Sequence, residues 1–153
     1  MTRAIWVSLT LAATASLALA MPEGEAFDPM LYKDPTAVAE GAALYADYCA
    51  ACHGTNLEGQ PNWQDRDADG YLPAPPHDVT GHTWHHPTLL LFEITKYGTE
   101  AVVGGDYKSN MAGFGDVLSD RDILAVLAYI KSTWPRQITD QHDQMNAIYN
   151  LGQ

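Results

Sequence analysis

Apolar residues recur at helical spacing in four stretches of the chain, and between those stretches the pattern dissolves. The first begins at Asp34-Pro35, an aspartate able to cap and a proline that fits the first helical position. Val38, Gly41, Ala42, Tyr45 and Tyr48 follow at helical intervals and predict an amphipathic helix over 35–48. A second helix is expected from His86-Pro87 through Leu90, Leu91 and Ile94 to Tyr97, with Gly98 placed to end it. The strongest pattern opens at Ser119, where Ser119 and Asp122 form a capping box. Its stripe is Ile123, Leu124, Val126, Leu127 and Ile130, and it stops near Trp134-Pro135. A weaker tail helix follows within 135–153, with Ile138, Met145 and Ile148 on one side. Residues 54–83 and 99–118 read as irregular, and the proline-rich run 72–76 bars regular helix. With no convincing strand, repeat or low-complexity segment, the chain reads as all-α.

The first twenty residues stand apart. Arg3 precedes an apolar run from Ala4 to Leu19, diluted by Ser8, Thr10, Thr14 and Ser16, and Ala18-Leu19-Ala20 offers small residues for cleavage. This predicts a signal peptide over 1–20, a mature chain starting at Met21, and a periplasmic location. The run is short and Ala-rich beside the roughly 20 residues of a membrane span, so an uncleaved anchor is the lesser alternative. No cysteine follows it, which excludes a lipoprotein anchor. Residues 21–34 carry prolines and no periodicity, and read as an extended leader.

Composition narrows the function. A chain of 153 residues suits one domain. The formal charge of −11 becomes −12 when residues 1–20, whose only charge is Arg3, are removed. Such acidity argues against nucleic-acid phosphates and against docking on anionic lipid through a basic patch. Two cysteines allow at most one disulfide, so the chain is no disulfide-stapled scaffold.

Those cysteines lie in Cys49-Ala50-Ala51-Cys52-His53. At i and i+3 both thiols face one side of a helical turn and can reach one planar edge. In a C-x-x-C-H run they add across the two vinyl groups of haem, and the adjacent histidine meets the iron. A long irregular stretch such as 54–83 needs something to pack against, which agrees with a cofactor. Two other readings compete. A thioredoxin-like pair would follow a strand, whereas here a helix precedes it. A zinc site could recruit His82 and His86, but their distance from Cys49 and Cys52 is far longer than in a finger and leaves His53 idle.

The run Gly41-x₃-Tyr45-x₃-Cys49-x₂-Cys52-His53, with Met111 far downstream and Leu127-Ala128-Tyr129-Ile130-Lys131 in the closing helix, resembles class I c-type cytochromes across about residues 35–134. The resemblance implies an all-α fold in which N- and C-terminal helices cross around one covalently bound haem c. The crossing would fall to Gly41, Tyr45 and Tyr129. It implies His53 and Met111 as axial iron ligands, and Pro75 or Pro76 as the carbonyl partner of His53. Met111 lies in a glycine-bearing loop before the last helix; Met21, Met30 and Met145 lie outside the resembling region. His77, His82, His85 and His86 are rival sixth ligands; around Trp84 they could also form a copper or zinc site, but helix capping, aromatic packing beside the haem or a partner-contact surface explains them as easily. Asp65, Asp67 and Asp69 resemble half a calcium loop, but Pro76 occupies the position where an EF-hand needs glutamate, so an acidic solvated turn is expected ahead of a looser calcium site.

The function implied is a periplasmic electron carrier rather than an enzyme. Its partners would be redox proteins with basic patches, and no small-molecule substrate is expected. The alternatives are a haem subunit of a membrane oxidase or dehydrogenase, and a sensor or peroxidase with a labile sixth ligand.

Overall fold

The computed structural model describes residues 31–151, so the expected signal peptide and residues 21–30 of the leader lie outside the described residues. Six helices follow in order: α1 (Pro35–Tyr48), α2 (Ala50–His53), α3 (Thr88–Tyr97), α4 (Thr99–Val103), α5 (Asp120–Ser132) and α6 (Arg136–Leu151). Among the described residues there is no strand, only one isolated bridge between Gly98 and Ala112.

Local chemistry starts α1 and α5 where it was expected to. The Asp34 carboxylate accepts from the Thr36 N–H at 2.9 Å, and Pro35 takes the first position of α1. Both bonds of the Ser119–Asp122 capping box are present at the start of α5. Three expectations need correction. The end of the leader is not extended: Leu31–Lys33 form a 3₁₀ turn, closed by Asp34 N–H on the Leu31 carbonyl. Helix α3 starts at Thr88, because His86 and Pro87 adopt extended backbone and a separate 3₁₀ turn, Thr83–His85, precedes them. The stretch 99–118 is not wholly irregular, since α4 forms directly after Gly98 and ends at Gly104.

The architecture rests on α1 crossing α5. Gly41 lies against the Ala125 carbonyl so closely that an added Cβ would overlap its oxygen and crowd Tyr129 Cβ at 3.0 Å. Tyr45 and Tyr129 fill the space beside that contact, their rings 5.4 Å apart. Helix α5 supplies both halves of the core. Val126 and Ile130 pack with Tyr45, Leu57 and Trp134, while Ile123 and Leu127 pack with Leu118, Leu91, Phe92 and Phe114.

The expected tail helix forms as α6, and it packs through polar side chains. Ile138 is half-buried against the core, but Ile148 is 72% exposed, and the buried positions are Thr139, His142 and Asn146. The surface they cover presents backbone polar groups that need partners. The Asn146 amide oxygen accepts from Thr88 N–H at 2.8 Å, and its NH₂ meets His142 Nδ1 at 3.2 Å. His142 Nε2–H in turn donates to the His86 carbonyl at 2.9 Å. Beside this chain, Lys131 is buried in a salt bridge with Asp143, and Tyr32 OH donates to the same carboxylate at 2.8 Å. Those bonds tie the first 3₁₀ turn, α5 and α6 together.

Candidate functional site

Helix α1 ends at Tyr48, and the chain passes through Cys49 into the single turn of α2. The N–H groups of Cys52 and His53 both bond to the Cys49 carbonyl, at 3.1 and 2.9 Å. That turn sets Cys49 and Cys52 on one side, as their i, i+3 spacing requires. Neither is in a disulfide; Cys49 is half-buried and Cys52 exposed. Burial, with a smaller contribution from Cys52, pushes the Cys49 thiol up to about 11. A thiol raised by burial lacks the electropositive setting that activates a thioredoxin-like cysteine.

His53 is only 6% exposed. Its Nδ1 lies 2.8 Å from the Pro75 carbonyl, which can only accept, so Nδ1 carries the proton and Nε2 keeps its lone pair. Of the two prolines weighed, Pro75 is therefore the partner. Burial lowers the pKa of His53, partly offset by that bond, and keeps the ring neutral and able to ligate. The loop returns to His53 through Gly59, whose N–H donates to the His53 carbonyl at 2.7 Å. Gly59 has φ +68°, and a Cβ there would run into the Pro75–Pro76 backbone.

Met111 is half-buried on a segment whose backbone is fastened to the end of α3. Phe114 N–H donates to the Thr95 carbonyl at 2.9 Å and Gly115 N–H to that of Lys96 at 3.0 Å. Thr99 N–H reaches the Met111 carbonyl at 3.3 Å. Tyr48, next to Cys49, meets Phe114 edge to face at 6.4 Å, so the cysteine turn and the methionine segment are neighbours.

The four histidines pack against other rings rather than gathering round a metal. His82 stacks on Trp63 at 5.2 Å and stands edge-on to His86 at 5.3 Å, while His85 stacks on Trp84 at 3.6 Å. His77 lies with its ring 4.0 Å from that of His53 and 25° from parallel. Among the described residues no three His, Cys, Asp or Glu side chains are grouped to hold a metal ion. In the acidic loop, Asp67 closes its own turn by accepting from the N–H groups of Asp69 and Tyr71, at 3.0 and 2.8 Å. Lys108 donates to the Asp69 carbonyl at 2.7 Å.

The donor set suits a covalently attached haem: two unpaired thiols on one turn beside a neutral imidazole with Nε2 to give. A further observation agrees. Trp84 packs against the core cluster that also takes in Cys49 and Ala50, and its indole N–H is buried with no partner among the described residues. An unpaired buried donor is costly, and a haem carboxylate is the kind of acceptor that would satisfy it. Sequence reasoning missed Trp84 as a donor and His77 as the neighbour of His53. The one available signal for His77 was its place directly after the proline pair that serves His53.

Comparison with known proteins agrees with this chemistry. A family model described as Cytochrome c matches residues 38–134. The chain is 32% identical over 94 residues to the Cbb3-type cytochrome c oxidase subunit FixP of Azorhizobium caulinodans. That alignment covers 61% of this chain but 28% of the relative, so the chain spans less than a third of that protein's length. No solved structure matches the chain significantly.

Proposed function

The chain belongs to the cytochrome c family, and from that premise we propose that it is a periplasmic carrier of single electrons, in which His53 and Met111 would hold the haem iron. Once bound, haem c supplies a one-electron ferric/ferrous couple. Cys49 and Cys52 would hold it as thioethers. His53 would offer Nε2 to the iron while the Pro75 carbonyl accepts its Nδ1–H, which fixes the tautomer and makes the imidazole a stronger donor. Trp84 would offer its N–H to a haem carboxylate, and Tyr45, Leu57 and Trp134 provide a dry wall beside the turn. The observation that carries the proposal is the His53–Pro75 hydrogen bond, made from the same turn that presents both thiols.

The location follows from the signal peptide expected over residues 1–20, and N-terminal sequencing of periplasmic protein should begin at Met21. The acidic chain would meet redox partners through their basic patches. A second reading, as the haem subunit of a membrane oxidase, is favoured by the likeness to FixP, itself an oxidase subunit.

Redox titration with optical spectra tests the coordination. The ferric protein should show the weak long-wavelength band of methionine sulfur on iron, and the ferrous protein should bind carbon monoxide slowly. Rapid carbon monoxide binding would overturn the closed site in favour of a sensor or peroxidase. Size exclusion of gently solubilised native membranes and periplasm separates carrier from subunit. A free carrier elutes alone, whereas co-elution with an oxidase would favour the second reading.

A further inference from the structure

We propose that His77 is a positioning residue for His53, holding the plane of the iron-ligating imidazole by stacking on its face; the proposal rests on His53 being that ligand. The Nδ1–H bond to Pro75 fixes one point on the His53 ring but leaves its tilt about that direction loosely set, because a hydrogen bond keeps most of its strength over tens of degrees. A flat group in contact with the ring face removes that freedom. His77 supplies it, at 4.0 Å and 25°.

His77 can do this because it is itself held from several sides. Its backbone N–H donates to the Leu57 carbonyl at 2.8 Å, and its own carbonyl accepts from Trp134 Nε1 at 2.7 Å. Its Nδ1 lies 2.7 Å from the Thr83 hydroxyl, which is buried and is directed at the Pro76 carbonyl. Tyr45 meets the ring edge-on at 6.3 Å. The wedge is thus fastened to the loop after the cysteines, to the turn before α3 and to the end of α5, while the groups it touches are core residues. No other contact of the His77 ring is needed to explain where it sits, and its face is spent on His53. The orientation of an axial imidazole governs how unpaired spin spreads over a ferric haem, so a lost wedge should be visible in the electronic structure even where the fold survives.

The test is proton NMR of the ferric holoprotein, reading the paramagnetically shifted haem methyl resonances, on the wild type and on His77→Ala, His77→Phe and Thr83→Val. His77→Ala should change the spread or order of the four methyl shifts while the optical spectrum stays low-spin. His77→Phe, which keeps a flat ring, should return the pattern most of the way to wild type. Thr83→Val, which leaves the ring but frees one edge, should give a smaller change of the same sense, and it serves if the alanine variant does not fold. Methyl shifts unchanged in His77→Ala, or in Thr83→Val where that variant stands alone, would overturn the proposal. So would an equal change in Ala and Phe. A wild type lacking low-spin, histidine-ligated, covalently attached haem would instead overturn the reading of His53 itself, whatever the variants do.

Discussion

Acid should loosen α6 through one residue, His142. This imidazole is 1% exposed, with Nε2–H donating to the His86 carbonyl and Nδ1 facing the Asn146 amide. Asn146 cannot turn round to welcome a proton on Nδ1, because its oxygen is engaged by Thr88 N–H. The ring is thus held as the neutral Nε2–H tautomer. Burial, then the charge of Lys131, lowers its pKa to about 4, against the opposing effects of the His86 carbonyl and Asp143. A free histidine titrates near about 6.5, so between these values the unfolded chain takes up a proton that the folded chain refuses, and stability falls as pH falls. The loss begins below the unfolded value, is about 2 kcal/mol at pH 5, and levels off near about 3 kcal/mol once pH drops below the folded value. The assay is urea unfolding of the holoprotein at pH 7 and pH 5, for the wild type and for His142→Gln, which cannot titrate in this range. Groups common to both proteins cancel in the comparison. The wild type should lose about 2 kcal/mol more than the variant between the two pH values. Equal losses would refute the assignment of a buried, neutral His142.

Gly41→Ala sets two effects of opposite sign against each other. Alanine gains about 1 kcal/mol of helix propensity over glycine, whereas overpacking a filled contact costs about 1–3 kcal/mol. Since the atom in the way is the backbone oxygen of Ala125, which cannot swing aside, the cost should win, and the urea midpoint should fall. A raised midpoint would mean that the crossing is looser than described. Met111→Ala should abolish the weak long-wavelength ferric band and admit carbon monoxide quickly; a band that persists would exclude Met111 as ligand. Electron transfer to a basic partner should slow as ionic strength rises, with most of the loss complete when the screening length nears about 8 Å at physiological salt. Stopped-flow rates flat across that range would refute electrostatic steering.

The sequence was most informative where structure is decided locally. Asp34-Pro35 and Ser119–Asp122 fix helix starts through bonds spanning two or three residues, and both are present. The C-x-x-C-H run is legible for the same reason, since one helical turn makes its geometry. Legibility fails where remote backbone decides. The apolar residues of α6 do not mark its buried face, because the surface it covers presents the Thr88 N–H and the His86 carbonyl, which only polar side chains could satisfy. His77 lies 2 residues beyond Pro75 in sequence, but its ring is brought onto His53 by bonds to Leu57 and Thr83, which no local pattern announces. Helix α4 escaped notice because the glycines at 98 and 104 that bound it read equally well as loop.

The close contact between Gly41 and Ala125 also bears on how fast the chain can find its fold. The two residues are about 80 positions apart, and closing a loop of that length costs about 4 kcal/mol of chain entropy before any contact repays it. Little of the intervening chain can shorten that search, for α2, α3 and α4 are brief and most of the chain between them is irregular. Folding should therefore be slow for a helical protein of this size, with a rate set by the meeting of α1 and α5 rather than by helix formation. On that view the missing side chain at position 41 widens the range of approaches from which two distant helices can lock together.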